Sequence, residues 1–378
     1  MNRMKAVQKL LPIKLVLLAV LLLLGERGWP AEIGYRYVSQ TMPLAQMQKS
    51  VEAVQLNQLP ELGPPTAADL AETPDIKFTD RIRILADALG KNPVSLYNFV
   101  HDYIEMDIYF GSLKGADGCL QEARGNDFDQ ASLLIALLRY HGIPARYEFG
   151  TLRLTLEQAQ ELALTRVDLN IEDHDAINSS LSSLGIPAVM VLTGDNKPIW
   201  MLTDQCWVRA YVPSTNYRGH QGGDTASDWV YLYPALKRHE YIDPQVDLAG
   251  KVLFSPDDYF QNAPVDVPPV EYYRQKVFDY IAANNLPCPT LQAAMLQRNI
   301  IRDALEVLPV ALPAQIVTGG QIQNPVTWSE IPAAFRHKLR IRGVYSEFGF
   351  EETDFQTTVS VPESYGKKIG RASCRERV

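Results

Sequence analysis

The chain has 378 residues, of which 46% are hydrophobic and 21% charged, which suits a packed core and excludes long disorder. Its formal charge of −8 is unevenly spread: without residues 1–29 and 367–378, 26 basic groups face 42 acidic ones, a net −16. A body that acidic repels phosphate backbones, so nucleic acid is excluded as a partner.

The chain opens on a basic stretch (Arg3, Lys5, Lys9, Lys14) followed by the apolar run Leu15–Leu24. That run is short for a bilayer span and fits the apolar region of an export signal. Residues 1–31 therefore read as a signal peptide or as an N-terminal anchor through residues 10–25. Either one predicts export of the remainder to the periplasm, the cell surface or the medium. Residues 32–77, with Pro60, Pro64, Pro65 and Pro74, read as an extended surface lead-in.

Helical signals follow. Asp80–Leu89 is predicted as one helix closed by Gly90. Asn92 and Pro93 form an N-cap and first-turn pair, and Val94, Tyr97, Val100 and Ile104 then recur on one face. Residues 111–126 read as a Gly-rich loop. Asp127–Tyr140, with the run FDQASLLIALLRY, is the strongest helical pattern and ends at Gly142 and Pro144.

Strands come next. Ala145–Leu154 is predicted as a strand, Thr155–Ala163 as a helix with a Thr155/Gln158 capping box, and Ala176–Leu184 as a short helix. Ala188–Thr193, Ile199–Leu202, Gln205–Val212 and Trp229–Leu232 read as antiparallel strands, interrupted by the long loop Pro213–Asp228. Helices first and strands after predict an α+β fold. The main domain is placed at 78–245. A linker and a hairpin of two helices (270–284 and 291–307) fill 246–336, and the start of a β-rich part occupies 337–368. The last ten residues, Ile369–Val378, match one reading frame of a common sequencing-adapter oligonucleotide, which predicts that they are not native and that the natural chain continues differently.

Setting Cys374 aside with that tail, Cys119, Cys206 and Cys288 remain. They are an odd number, widely spaced, with no CxxC pair, so neither a disulfide framework nor a zinc site is indicated. Walker A, GxGxxG, HExxH and GxSxG patterns are absent, and no cofactor is expected. The acidic stretch Asp168–Asp175 alternates as a calcium loop does. It lacks the turn glycine and the closing Glu, and reads by default as a solvated loop.

Gly125–Leu152, GNDFDQASLLIALLRYHGIPARYEFGTL, resembles the core of the bacterial transglutaminase-like superfamily, whose fold is that of papain-type cysteine peptidases. The strand CWVRAYVP (Cys206–Pro213) and the run WVYLYPALK (Trp229–Lys237) fit the same pattern in order. The resemblance implies a Cys-His-Asp triad: a thiol at a helix N-terminus, a His on an adjacent strand, and an Asp that orients it. The matching positions hold Asp127, Gln205 and Tyr233. Neither Gln205 nor Tyr233 can replace its expected counterpart in a thiol mechanism, because Gln205 does not titrate and a tyrosine is ordinarily neutral near pH 7.

Asp127, with Gln130 three residues on, is read as the N-cap of its helix in a capping box. Cys119 is read as a loop thiol and Cys206 as a buried strand residue. His141 sits in the last helical turn, and His101 on an amphipathic helix. The reading that follows is a catalytically degenerate domain that binds polypeptide or a cell-surface protein. The alternative is an active transglutaminase or cysteine peptidase acting on protein amide bonds through Cys119 or Cys206.

Overall fold

A computed structural model describes residues 62–164, 174–213 and 227–364, apart from 247, 249, 288–289, 291, 310, 320–322 and 348–349, together with the short strands Met42–Pro43 and Glu52–Ala53. Residues 1–31, the acidic stretch up to residue 173, most of the loop Pro213–Asp228, Cys288 and the last ten residues lie outside the described set. Among the described residues no helix is long and apolar enough to cross a membrane.

The helices begin and end where local chemistry dictates. Helix α1 (Asp80–Leu89) is capped by Thr79 and stops at Gly90, whose φ of 74° is the left-handed conformation that glycine tolerates. Helix α2 (Pro93–Tyr103) starts on the Asn92 side chain, which accepts from the Val94 N–H, with proline in its first turn. The Gly-rich segment predicted as a loop instead contains helix α3 (Gly115–Glu122), so Cys119 is helical and fully buried rather than a loop thiol. Its N-terminus is held by side chains distant in sequence, which no local pattern reports.

Helix α4 (Asp127–Tyr140) is buried from Asp127 to Arg139 on every face, its middle Leu133–Leu138 wholly apolar and its polar ends hydrogen-bonded. It ends at Gly142 (φ 73°), with Ile143 N–H closing back on the Leu138 carbonyl. Helix α5 (Leu156–Leu162) carries the Thr155/Gln158 capping box with both hydrogen bonds formed. Helix α6 (His174–Ser183) follows it.

The strands gather on α4. The main sheet runs β1 (Met42–Pro43), β6 (Ala188–Leu192), β7 (Pro198–Pro213), β5 (Ala145–Leu154), β11 (Gln315–Thr318) and β2 (Glu52–Ala53), with β8 (Ser227–Leu232) on β7 and β12 (Val326–Trp328) on β5. The two strands predicted at 199–202 and 205–212 are one continuous strand, β7. It is long enough to pair with β6 over its first half and β8 over its second. Strands β5 and β7 are antiparallel, with Phe149 opposite Cys206 and Gly150 opposite Gln205. A minor pair, β3 (Glu105–Met106) with β4 (Arg124–Gly125), frames the approach to α4.

Beyond β9 (His239–Ile242) the outcome departs from expectation. Helices α7 (Pro256–Asn262) and α8 (Pro269–Ala283) form, but the helix predicted over 291–307 does not. In its place a 3₁₀ turn leads to β10 (Gln297–Ile300), which pairs with β9. Residues 315–328, expected in a linker, supply β11 and β12 to the main sheet. From Lys338, β13 (Lys338–Glu347) and β14 (Phe350–Ser360) form an antiparallel hairpin, which ends in helix α9 (Val361–Ser364). The lead-in is no mere surface segment either. Asp69, Asp75 and Ile76 are buried, and Asp69 binds Arg146 bidentately at 3.0 and 2.6 Å.

Candidate functional site

The N-terminus of α4 abuts β7 and the exit of β8, and this is where the three sequence-predicted positions meet. The cap is Asn126, not Asp127. Its Oδ1 accepts from the Asp129 N–H at 3.0 Å, and its Nδ2 donates to the carbonyls of Tyr109 and Gly111 at 2.8 and 2.7 Å. Both residue types cap well. Asn126 takes the role because only an amide can also donate to the two carbonyls brought beside it. The predicted capping box is likewise absent, since Gln130 Nε2 donates to the Gly125 carbonyl at 2.7 Å.

Asp127 therefore occupies the first helical turn. Its Oδ2 accepts from the backbone N–H of Cys206 at 2.6 Å, tying α4 to β7 where β8 has not yet begun to pair. Burial pushes its carboxyl up to about 7, against the lowering effect of the Cys206 and Phe128 N–H groups. Gln205 Oε1 accepts from the Tyr233 hydroxyl at 2.7 Å, and Gln205 Nε2 donates to Thr203 Oγ1 at 3.2 Å. Burial and then the Asp127 carboxylate push the Tyr233 phenol well above its ordinary range. Asp127, Gln205 and Tyr233 are 5%, 2% and 1% exposed, so the cluster is closed to a macromolecular substrate as it stands.

Neither described thiol has the setting of a nucleophile. A reactive cysteine needs an electropositive, partly open site. Cys206 is fully buried, and burial and then Asp127 push its thiol well up. Cys119 is raised by burial and by Asp129, and no His is hydrogen-bonded to either thiol among the described residues. His141 Nε2 lies 2.9 Å from the Ala86 carbonyl, and His101 Nδ1 lies 2.8 Å from Asp102 Oδ1.

Sequence reasoning missed Asp129. Its carboxylate collects the N–H groups of Gly115 (2.8 Å) and Lys114 (3.0 Å), the Tyr109 hydroxyl (2.5 Å) and Ser112 Oγ (3.2 Å). It thereby nucleates the 112–115 turn and the start of α3. Burial raises it to about 6. An acid at the third position of a helix beside a Gly-rich stretch was the available signal. Lys237 and His239 were also missed. The buried Lys237 ammonium donates to the Val100 and His101 carbonyls at 2.9 and 2.8 Å, closing the end of α2, and burial pushes it down to about 7. His239 Nδ1 pairs with Glu161 at 2.7 Å. Among the described residues no three His, Cys, Asp or Glu side chains are placed to hold a metal ion.

The family model of the transglutaminase-like superfamily matches residues 77–234. No curated protein and no solved structure matches the chain significantly. The match spans α1 through β8 and ends one residue past Tyr233, so it encloses all three positions at the α4 terminus. Residues 77–234 of this chain are thus a transglutaminase-like superfamily domain with an α+β core.

Proposed function

We propose that this domain is catalytically degenerate and serves as a polypeptide-binding or assembly module of a larger exported surface protein. The observation that carries the reading is the Asp127 carboxylate, standing where the resemblance calls for a thiol and engaged by the Cys206 N–H. With Gln205 and Tyr233 bonded to each other, base and orienter are missing as well. What is left to such a site is binding and any oxyanion donors, slower than a complete triad by orders of magnitude. The superfamily's chemistry on polypeptide amides supports polypeptide as the partner class. The basic stretch before Leu15–Leu24 supports export.

The test is an amine-incorporation and amide-hydrolysis assay on the full chain, with and without iodoacetamide. No thiol-dependent turnover is expected. Iodoacetamide-sensitive turnover would overturn the reading and favour an active enzyme.

A further inference from the structure

One segment beyond the family-matched span returns to the domain and lies along it as a strap, extended through β12 and turned by a 3₁₀ bend at Ala333–Phe335. Residues 323–337 run past β5, the Gly111–Ser112 loop and the start of α4. Gln323 exchanges hydrogen bonds with Thr151, its carbonyl accepting at 2.9 Å and its N–H donating to Oγ1 at 3.0 Å. Val326–Trp328 then pairs with Tyr147–Phe149 as β12. Arg139 Nη2 donates to the Ser329 carbonyl at 2.7 Å. The Ser112 N–H donates to the Phe335 carbonyl at 2.8 Å, and the His337 N–H donates to the Ser112 carbonyl at 2.9 Å. These contacts read main chain.

Side chains supply the selectivity. Ile331 and Phe335, four residues apart, are buried, while the rest of 323–337 is exposed or half-buried. Phe335 lies 5.7 Å from Phe128 and 5.1 Å from both Phe149 and Trp328, ring centre to ring centre. Ser329 Oγ donates to Asp69 at 2.8 Å and Arg336 Nε to Asp75 at 2.7 Å. The receiving groups are built in: Asp69, Asp75 and Arg139 are each at most 3% exposed.

The surface is also cut to admit a backbone. A Cβ on Gly111 would stand 2.5 Å from the Phe335 carbonyl oxygen, and one on Gly150 would stand 3.0 Å from Pro325 Cα. Three charged groups that bond the strap, two glycines under a passing main chain and a strand edge that accepts pairing are the features of a strand-addition peptide site.

We infer that the face formed by the β5 edge, Phe128, Phe149, Asp69, Asp75 and Arg139 is a recognition site for a polypeptide that adds a short strand to β5 and then turns, with an aromatic residue, an aliphatic one three positions on, and an aromatic-Arg pair four beyond that. Residues 323–337 are its resident occupant. This inference rests on the polypeptide-binding reading above and gives that reading a location and a ligand chemistry.

The test is complementation. The full chain carrying Ile331→Ala and Phe335→Ala is melted with and without a synthetic peptide of residues 321–339, beside the unmodified chain. A ligand that binds only the folded form raises its melting temperature. The peptide is expected to raise the variant's midpoint by several degrees and to leave the unmodified chain, already occupied, unchanged. A peptide with Ala at both anchor positions should bind the variant at least about tenfold more weakly, as the loss of two buried anchors implies.

Should the variant not fold, the unmodified chain nicked at a protease site inserted between Glu306 and Val307 takes its place, with displacement of the labelled C-terminal fragment as the readout. The inference is overturned if the peptide neither stabilises the variant nor exchanges into the nicked chain, or if it shifts the unmodified chain equally. Such a result leaves the absence of thiol chemistry standing. Iodoacetamide-sensitive turnover alongside normal exchange would strike the degenerate reading alone.

Discussion

Asp127 Oδ2 accepts from the Cys206 backbone N–H at 2.6 Å, so a carboxylate at the start of the central helix is bonded to the strand beside it. In a complete thiol site that juxtaposition brings nucleophile and base together. In this chain it joins α4 to β7 by a static bond, and the Tyr233–Gln205 bond at 2.7 Å likewise joins the exit of β8 to the same strand. The carboxyl, the amide and the phenol at this helix terminus hold the core together.

The carboxyls of Asp127, Asp129 and Asp204, the last on β7 and accepting from the Thr151 hydroxyl, are raised by burial to about 7, 6 and 6 respectively. In the unfolded chain such groups titrate near 4. Below that pH both states are protonated and the stability tied to these protons is fully present. As pH rises towards 7 the unfolded chain ionises first, so stability falls, and it levels off once the folded groups ionise too. Each unit of difference is worth about 1.4 kcal/mol. Asp127→Asn keeps an acceptor for the Cys206 N–H and cannot ionise. It should flatten the fall and raise the melting temperature at pH 8 more than at pH 5. Equal shifts at both pH values would refute this origin.

Asn126→Ala should be among the most damaging single changes near the site. It removes the α4 cap, worth about 0.5–2 kcal/mol, and leaves two carbonyls without their donor at about 1–3 kcal/mol each. Asn126→Ser keeps an acceptor for the Asp129 N–H and should fall between the two. Urea titration of the three proteins checks the order.

The buried thiols should be inert. Burial pushes both Cys119 and Cys206 well above the ordinary thiol range. In native protein at pH 8, peptides containing these residues should carry no iodoacetamide label by mass spectrometry, and full label should follow in urea. Rapid native labelling of Cys206 would contradict its placement beneath the α4 terminus.

Two glycines with similar backbone angles should respond differently to alanine. Gly142 has φ 73° and open space around its missing Cβ, so Gly142→Ala should cost about 1–2 kcal/mol for the left-handed conformation alone. Gly111 has φ 83° with the Phe335 carbonyl in the way, so Gly111→Ala should cost clearly more. Comparable melting shifts would mean that the strap yields without loss.

Where the deciding contacts lie within about four residues, the sequence alone was sufficient. The Asn92–Pro93 start, the Gly90 and Gly142 stops and the Thr155/Gln158 box each satisfy helix-end groups from neighbouring positions. The strand Ala145–Leu154 was equally legible. Tertiary structure decided what depends on groups far apart along the chain. Helix α3 exists because Asp129 and the Asp75 carbonyl accept the N–H groups at its start. The cap passed to Asn126 because the Tyr109 and Gly111 carbonyls needed a donor. Gln315–Thr318 and Val326–Trp328 became strands because β5, more than 150 positions earlier, had an edge to fill. Periodicity and capping are short-range signals, whereas an unpaired strand edge or an orphaned carbonyl exists only once the chain has folded back on itself.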